Sequence, residues 1–409
     1  MFEVSKIRRD FPMLWDESGR ERQLVYFDNS ATSFKPQQVI DAEMAYYTRF
    51  SANIHRGDYA LSYEADQAYD HARAAMARFI NAREEEVIFT SGTTQGLNMA
   101  AYGLKGMLRE GDVILSTLAE HASNILPWFR LAEQTGARVE FIPLDESGRL
   151  TVDNFRKALH ERVRIVAVAQ VTNVLGYLAD MKSICALAHQ VGAIVVVDGA
   201  QSVPHKQVDV KDMDCDLLAF SGHKMCGPTG IGVLYGKSEL LERMEPMMLG
   251  GGANKRFNSH GDLILSKVPD RFEAGTVPIG QAVGLAEAAE YLQKIGLPEI
   301  ERREKQLHDY LSGKLRELDN IEFYNPDSDS AICSFNVRGI FAQDAASYLS
   351  SRNIAVRSGN HCAKMLVGFL GTDATIRASM YFYNTEEEAD RLVQALRNCT
   401  LENCIDIFL

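Results

Sequence analysis

The sequence predicts an α/β protein, with a large domain built on a mostly parallel sheet flanked by helices and a smaller α+β domain toward the C-terminus. Two observations lead to this prediction. Between about residues 86 and 235, short and nearly continuous apolar runs alternate with helical patterns, which is typical of parallel strands buried on both faces. After about Gly280 the pattern changes to two long helical stretches followed by shorter, alternating strands.

The elements follow from these patterns in chain order. A short amphipathic helix within residues 1–20 precedes an apolar run at 24–27 and helices at about 35–47 and 62–80. The strands of the large domain are predicted at 86–90, 112–116, 138–142, 164–169, 193–197, 217–220 and 231–235. Helices at 281–295 and 297–318, a strand at 331–337 and a helix at 386–396 complete the chain. We therefore expect a large domain over residues 21–285 and a small domain over 286–409 joined by residues 1–20.

The composition excludes several classes of protein. The chain has 409 residues and a net charge of -12, without a conspicuous basic run, so nucleic acid and anionic membranes are poor partners. The N-terminus lacks the apolar core of a signal peptide, and no apolar run is long enough to span a bilayer. The seven cysteines are scattered, odd in number and without metal-site spacing, which predicts a cytoplasmic protein with reduced thiols and no bound metal.

A lysine follows one of the predicted buried strands. The apolar run 217–220 ends in the small, polar loop Ser221-Gly222-His223-Lys224. A lysine at the end of a buried strand is costly unless it is paired or has lost its charge. Lys224 therefore either extends its amino group to solvent or forms a Schiff base with an aldehyde cofactor.

A second strand leads into a loop of small and hydroxylated residues. Residues 86–90 are followed by Ser91-Gly92-Thr93-Thr94 at the start of a helix. The backbone N–H groups and hydroxyls of such a loop can hold a phosphate, or the hydroxyls can simply cap the helix. The loop matches neither the P-loop nor the dinucleotide fingerprint, which disfavours a nucleotide-binding dehydrogenase.

A third strand ends in an acidic residue, in Asp198-Gly199-Ala200-Gln201. A buried aspartate either caps a turn or pairs with a cation, such as the pyridinium nitrogen of pyridoxal phosphate. Ligands of open α/β sheets bind at the carboxyl ends of the strands, where His121 and Lys224 are also expected. A phosphate loop, an imidazole that stacks on the ring, Asp198 and Lys224 together predict a pyridoxal phosphate site.

Six motifs occur in the order found in a known family. They are Asn53-x-His55-Arg56-Gly57, Thr90-Ser91-Gly92-Thr93-Thr94, Glu120-His121-x-Ser123-Asn124, Val197-Asp198-Gly199-Ala200-Gln201, Ser221-Gly222-His223-Lys224 and Arg271-Phe272-Glu273-Ala274-Gly275-Thr276. With them, almost the full chain resembles the class V aminotransferases of fold type I, and among these the SUF-type, or group II, cysteine desulfurases. The resemblance implies a pyridoxal phosphate-dependent transferase fold.

The resemblance also implies roles in binding the cofactor. Lys224 would carry the cofactor and move the Cα proton of the substrate, Asp198 would pair with the ring nitrogen, Gln201 would bind the phenolic oxygen and His121 would stack on the ring. The phosphate would be held by Thr93, Thr94, Ser221 and His223, with Asn173 also at the cofactor. Thr276 would reach the phosphate from the neighbouring subunit, which implies a homodimer with shared active sites.

The reaction implied by the resemblance converts L-cysteine to L-alanine. Asn173 and Arg377 would hold the substrate carboxylate, with His55 and Arg357 also at the substrate. Cys362 would attack the substrate sulfur and keep it as a persulfide, and the flanking residues Arg357 and His361 predict an electropositive setting that favours the thiolate. The persulfide would pass to an acceptor protein of SufE or SufU type, which would supply sulfur for iron–sulfur cluster assembly.

The sequence departs from the family pattern at two positions and leaves alternatives open. Asn360 replaces the first histidine of a His-His-Cys motif, and Ala122 replaces the second of Glu-His-His. The Cys362 loop disfavours a transaminase or an epimerase, but the same groups would serve a selenocysteine lyase. A non-catalytic sulfur-transfer scaffold would not need Lys224, Asp198 and Cys362 together. Cys399 and Cys404 are expected to be either ordinary buried thiols or a sulfur relay.

Overall fold

The computed structural model describes residues 3–55 and 57–407, so that Arg56 of the Asn53 motif lies outside the described residues. The strands are β1 Val25–Tyr26, β2 Val87–Thr90, β3 Val113–Thr117, β4 Arg138–Ile142, β5 Val163–Ala169, β6 Ile194–Asp198, β7 Leu217–Ser221, β8 Gly232–Gly236, β9 Asn254–Phe257, β10 Leu263–Leu265, β11 Ile321–Phe323, β12 Ile332–Val337, β13 Ile354–Ala355, β14 Arg357–Gly359 and β15 Thr375–Ser379. Each strand predicted for the large sheet is present within about two residues of its predicted bounds.

The helices also follow the predicted pattern. They are α1 Val4–Arg8, α2 Gln37–Arg49, α3 Ala60–Ile80, α4 Thr93–Gly103, α5 Leu126–Thr135, α6 Val152–Ala158, α7 Met181–Gln190, α8 Val210–Met213, α9 Ser238–Leu241, α10 Ile279–Ile295, α11 Leu297–Arg316, α12 Ala342–Ser350, α13 Lys364–Phe369, α14 Glu386–Arg397 and α15 Leu401–Asp406. Among the described residues, no helix combines the length and apolar character needed to cross a membrane.

The large sheet has seven strands in the order β2-β8-β7-β6-β5-β3-β4. The five strands from β7 to β4 are parallel, whereas β8 runs antiparallel to both of its neighbours. Along β5, Ile165 and Ala167 pack in one apolar cluster and Val166 and Val168 in another, so both faces of the strand are buried. The mostly parallel, doubly covered sheet predicted from the sequence is confirmed.

The C-terminal part contains a four-stranded antiparallel sheet in the order β11-β12-β15-β14. Strand β1 pairs with β13, and Asp28 forms a bridge with Ser379, so residues 25–28 lie against this smaller part. Helix α10 continues across residue 285 and packs its apolar side in the core of the large sheet. The boundaries at residues 20 and 285 stay a prediction.

Candidate active site

The carboxyl ends of the parallel strands surround a cavity of about 250 Å³. Twelve of the fourteen residues predicted for the site line it, namely Thr93, Thr94, His121, Asn173, Asp198, Gln201, Ser221, His223, Lys224, Arg357, Cys362 and Arg377. Residues from the small sheet thus close the cavity opposite the strand ends of the large sheet. This arrangement follows from the tertiary packing, because Arg357, Cys362 and Arg377 lie far from the other residues in the sequence.

The loop before helix α4 brings hydroxyl groups to one end of this cavity. The Thr93 N–H donates to Ser221 Oγ at 2.8 Å, and the two side-chain oxygens of this pair are 2.7 Å apart. Gly92 is the N-cap of the helix with φ +144°, and no side chain caps this helix terminus. The hydroxyls therefore do not serve as ordinary caps, and the first turn of α4 offers N–H groups to an anion.

Asp198 and Lys224 lie at the ends of two adjacent strands. Asp198 is buried, and its Oδ1 accepts a hydrogen bond from the Ala200 N–H at 2.9 Å. Burial raises the pKa of this carboxyl, although the nearby Lys224 opposes the shift. Burial likewise lowers the pKa of Lys224 to about 8, against the opposite effect of Asp198. The two groups form no salt bridge among the described residues, so each can face a third group.

Several buried polar atoms of the cavity lack a hydrogen-bond partner within the described protein. They are Asn173 Oδ1, Gln201 Oε1, His361 Nδ1 and Arg377 Nε. Buried polar groups are nearly always paired, so a concentration of unpaired atoms in one cavity indicates a polar ligand. Pyridoxal phosphate fits this set, because it brings an aldehyde for Lys224, a ring nitrogen for Asp198 and a phosphate for the α4 terminus.

The His121 imidazole lies beside these groups in a neutral form. Its Nδ1 accepts a hydrogen bond from the Ser123 N–H at 3.1 Å, which places the ring proton on Nε2. Burial and the nearby cations Lys224 and Arg377 lower the pKa of His121 to about 4. A neutral ring is suited to stacking on an aromatic cofactor.

The loop that carries Cys362 has an unusual backbone. His361 has φ 51° and Cys362 has φ 57°, so two consecutive residues other than glycine adopt the left-handed region. Asn173 Nδ2 donates to the His361 carbonyl at 2.8 Å, and the Ala122 N–H donates to the Cys362 carbonyl at 2.7 Å. Asn360 Oδ1 accepts from the Cys362 N–H at 3.1 Å. Cys362 is exposed, unlike the other six cysteines, which are buried.

The expectation that His361 adds positive charge beside Cys362 is wrong. The His361 side chain is buried and its Nε2 lies 2.9 Å from Thr375 Oγ1. Burial, reinforced by Arg377, lowers the pKa of His361 to about 3, so its ring is neutral. The positive charge near Cys362 comes from Arg357 and Arg377 instead.

Sequence reasoning missed one residue that binds two arginines of the cavity lining. The Asp28 carboxylate pairs with Arg357 at 3.1 Å and with Arg377 at 3.3 Å. Arg377 is buried, and its other terminal nitrogen donates to the Asn173 carbonyl at 2.8 Å. An available signal was that Asp28 follows an apolar run, as Asp198 does, but its partners lie more than 300 residues away.

Two predicted residues lie elsewhere in this chain. His55 and Thr276 line a second cavity of about 330 Å³, together with Asn53 and Glu273. The Glu273 carboxylate is held by Arg73 at 2.8 Å and by the Tyr69 hydroxyl at 2.8 Å. The structure of the single chain therefore does not bring His55 or Thr276 to the cavity that contains Lys224.

Comparisons with known proteins agree with this fold and cavity. The family model described as aminotransferase class-V matches residues 25–392, and the chain belongs to this family. A curated protein of Staphylococcus epidermidis named "Probable cysteine desulfurase" is 44% identical over 400 residues, which cover 97% of this chain and 96% of that protein. The family predicted from the sequence motifs is thus confirmed, whereas the SUF-type subgroup stays a prediction.

Solved structures extend the similarity to the whole fold. The apo structure of a cysteine desulfurase from Thermococcus onnurineus NA1 has a TM-score of 0.92 and 40% identity, covering 96% of this chain and 97% of that chain. The cysteine desulfurase CsdA from Escherichia coli has a TM-score of 0.90 and 34% identity, covering 100% of this chain and 99% of that chain. Within the class-V family, this chain is therefore similar over nearly its full length to cysteine desulfurases.

Proposed function

We propose that this protein is a pyridoxal phosphate-dependent cysteine desulfurase, which converts L-cysteine to L-alanine and keeps the sulfur on Cys362 as a persulfide. The observation that carries the proposal is that Lys224, Asp198 and the exposed Cys362 line one cavity. A transaminase does not require a thiol at this place, and a binding scaffold does not require the lysine or the buried aspartate. Similarity to cysteine desulfurases over nearly the full chain supports the same function.

The residues of the cavity divide into groups that suit the parts of the cofactor. Thr93, Thr94, Ser221 and His223 would hold the phosphate, His121 the ring face, Asp198 the ring nitrogen, and Asn173 and Gln201 the phenolic side of the ring. Gln201 Nε2 donates one hydrogen bond to the Ser30 carbonyl and retains a second N–H. When bound, pyridoxal phosphate supplies an electron-withdrawing ring that stabilises negative charge on the substrate Cα.

The substrate carboxylate would be held by the arginines and Asn173. Arg377 presents a planar fork suited to a carboxylate, and Arg357 adds a second positive charge at the same wall. The pKa of Lys224, lowered by burial to about 8, leaves part of its amino groups unprotonated near neutral pH. Lys224 in this form can take the Cα proton of the substrate.

The sulfur step follows from the placement of Cys362. The Cys362 thiolate attacks the substrate sulfur, a new S–S bond forms, and the C–S bond breaks. The electron pair of that bond stays with the carbon, which takes up a proton, so that L-alanine is released. The balance is L-cysteine plus the Cys362 thiol giving L-alanine plus the Cys362 persulfide, with no further oxidant or reductant.

We also infer that this protein forms a homodimer, passes its sulfur to an acceptor protein and acts in the cytoplasm. A homodimer would allow His55 and Thr276 to complete the active site of the partner subunit, which would account for their position in a separate cavity. The exposure of Cys362 suits transfer of the persulfide to an acceptor protein of SufE or SufU type. Supply of sulfur for iron–sulfur clusters in the cytoplasm is the role that this chemistry would serve.

The test is to incubate the purified protein, loaded with pyridoxal phosphate, with L-cysteine and a thiol reductant and to measure alanine and sulfide. Equal amounts of both products are expected. L-Selenocysteine is assayed in parallel, because a large preference for it would favour a selenocysteine lyase. A protein that binds pyridoxal phosphate but forms neither product from either substrate would contradict the proposed function.

A further inference from the structure

Asp28 connects the two arginines of the cavity wall. Its side chain is mostly buried and follows β1, in the N-terminal segment that lies against the small sheet. Arg357 Nε lies 3.1 and 3.2 Å from the two carboxylate oxygens of Asp28, and Arg357 Nη2 donates to Oδ2 at 3.1 Å. Arg377 Nη2 donates to Oδ1 at 3.3 Å. One carboxylate therefore binds both guanidinium groups.

The need for such a carboxylate follows from the sheet register. Arg357 on β14 is directly opposite Arg377 on β15, and like charges at opposite positions repel each other. Arg377 is also buried, and burial of an unpaired charge is costly. Asp28 compensates both effects and fixes the direction in which each guanidinium plane faces.

The same carboxylate sets the charge of this wall. Two arginines and one aspartate leave a net charge of about +1, which suits a single substrate carboxylate. Arg377 is held from one side by Asp28 and from the other by the Asn173 carbonyl, while its Nε remains without a partner in the described protein. The guanidinium is thus oriented before a substrate arrives, and such preorganisation lowers the cost of binding.

We propose that Asp28 is a positioning residue, which aligns Arg357 and Arg377 so that the site selects amines that carry an α-carboxylate. This inference rests on the proposed function and deepens it, since it names the residue on which recognition of the amino acid substrate depends. Asp28 acts through the two arginines and does not itself touch the substrate.

The test compares two ligands that differ only in the carboxylate, L-cysteine and cysteamine. The Cys362→Ser background prevents turnover, and the change in visible absorption of the bound cofactor gives a dissociation constant for each ligand. We expect Asp28→Asn to raise the dissociation constant of L-cysteine about tenfold, or about 1.4 kcal/mol, and to leave that of cysteamine unchanged. Asp153→Asn, an exposed aspartate paired with Arg156, is the matched control for loss of one negative charge.

A second substitution at the same position separates the charge of Asp28 from its exact placement. Asp28→Glu retains the charge but displaces it by one methylene, and we expect a selective weakening of L-cysteine smaller than that caused by Asp28→Asn. This variant also serves if Asp28→Asn fails to fold. Equal weakening of both ligands, or no weakening of L-cysteine, would overturn the role of Asp28. Absence of alanine formation by the unmodified protein would instead contradict the proposed function. The dissociation constants of L-cysteine and cysteamine would still show whether Asp28 is needed for selective binding of the carboxylate.

Discussion

The Ala122 N–H donates a hydrogen bond to the Cys362 carbonyl at 2.7 Å, which joins the loop that carries His121 to the loop that carries the candidate nucleophile. Both positions at which the sequence departs from the family pattern, Ala122 and Asn360, thus contact the Cys362 backbone. Neither contact with Cys362 uses a histidine ring. Left-handed φ values at His361 and Cys362 are unfavourable, so these hydrogen bonds help to hold the loop.

The hydrogen bond between Ala122 and Cys362 can be removed by proline, which fits the backbone on the His121 side but places its Cδ against the Cys362 carbonyl oxygen. Ala122 is the first residue of a short 3₁₀ turn, and His121 before it has φ -63° and ψ 146°, a conformation compatible with a following proline. We expect Ala122→Pro to lower the free energy of unfolding by more than about 1 kcal/mol, since the proline Cδ also presses on the Cys362 carbonyl. We expect it to speed alkylation of Cys362 by iodoacetamide at least about fivefold, because the loop opens more often. Ala122→Gly retains the N–H and is the control. Equal alkylation rates in both variants would show that this hydrogen bond does not restrain the loop.

Lys224 is expected to be the residue that binds the cofactor covalently. Lys224→Ala should abolish the visible absorption band of the protein after addition of pyridoxal phosphate, since no other lysine lines the cavity among the described residues. Lys35→Met is the control, because Lys35 is also partly buried but donates to the His223 carbonyl outside the cavity. A band of undiminished intensity in Lys224→Ala, traced by peptide mapping to another lysine, would contradict the assignment.

Cys362 is expected to be needed for sulfur removal but not for cofactor binding. Cys362→Ser should keep the visible band and lower alanine formation from L-cysteine at least 100-fold, because a hydroxyl cannot accept the sulfur as a persulfide. The control is Cys399→Ala. The sulfur atoms of Cys399 and Cys404 are 3.7 Å apart and both residues are buried, so we expect this variant to retain alanine and sulfide formation. Loss of sulfide with retention of alanine would instead support a relay through this pair.

The pKa of Lys224 leads to a pH dependence that can be measured on the cofactor-free protein. Burial lowers the pKa of Lys224 from 10.5 to about 8, so the reactive, unprotonated amine becomes dominant as the pH rises through about 8. We expect the rate at which added pyridoxal phosphate restores the visible band to rise with pH and to level off above that value. A rate that continues to rise toward pH 10, as for an exposed lysine, would contradict the effect of burial.

The buried pair of Arg73 and Glu273 is expected to stabilise the loop that carries Thr276. Glu273 accepts hydrogen bonds from Arg73, the Tyr69 hydroxyl and the Phe89 N–H. We expect Glu273→Gln to lower the free energy of unfolding by about 3 kcal/mol, because it leaves the arginine charge buried without a partner. Glu290→Gln, in an exposed pair with Arg78, should change it by less than about 1 kcal/mol. Chemical denaturation of both variants checks the difference, and equal effects would contradict it.

The sequence by itself determined the elements of the large sheet and the residues at their ends. Apolar runs of strand length and the helices between them are local patterns, and the carboxyl ends of parallel strands meet at one edge whatever the details of packing. For this reason Thr93, Asp198 and Lys224 could be assigned to one cavity before the structure was known. The family resemblance added Arg377, which lies on β15 of the small sheet, and Cys362, which lies in the loop after β14.

Only the tertiary structure decided how the small sheet completes the cavity. Asp28 meets Arg357 and Arg377 across separations of 329 and 349 residues, and no local pattern fixes such a pairing. The neutral state of His361 likewise depends on its burial against Thr375, which its sequence neighbours do not reveal. Charge state and side-chain direction depend on what surrounds a group in space, whereas strand and helix formation depends largely on the pattern along the chain.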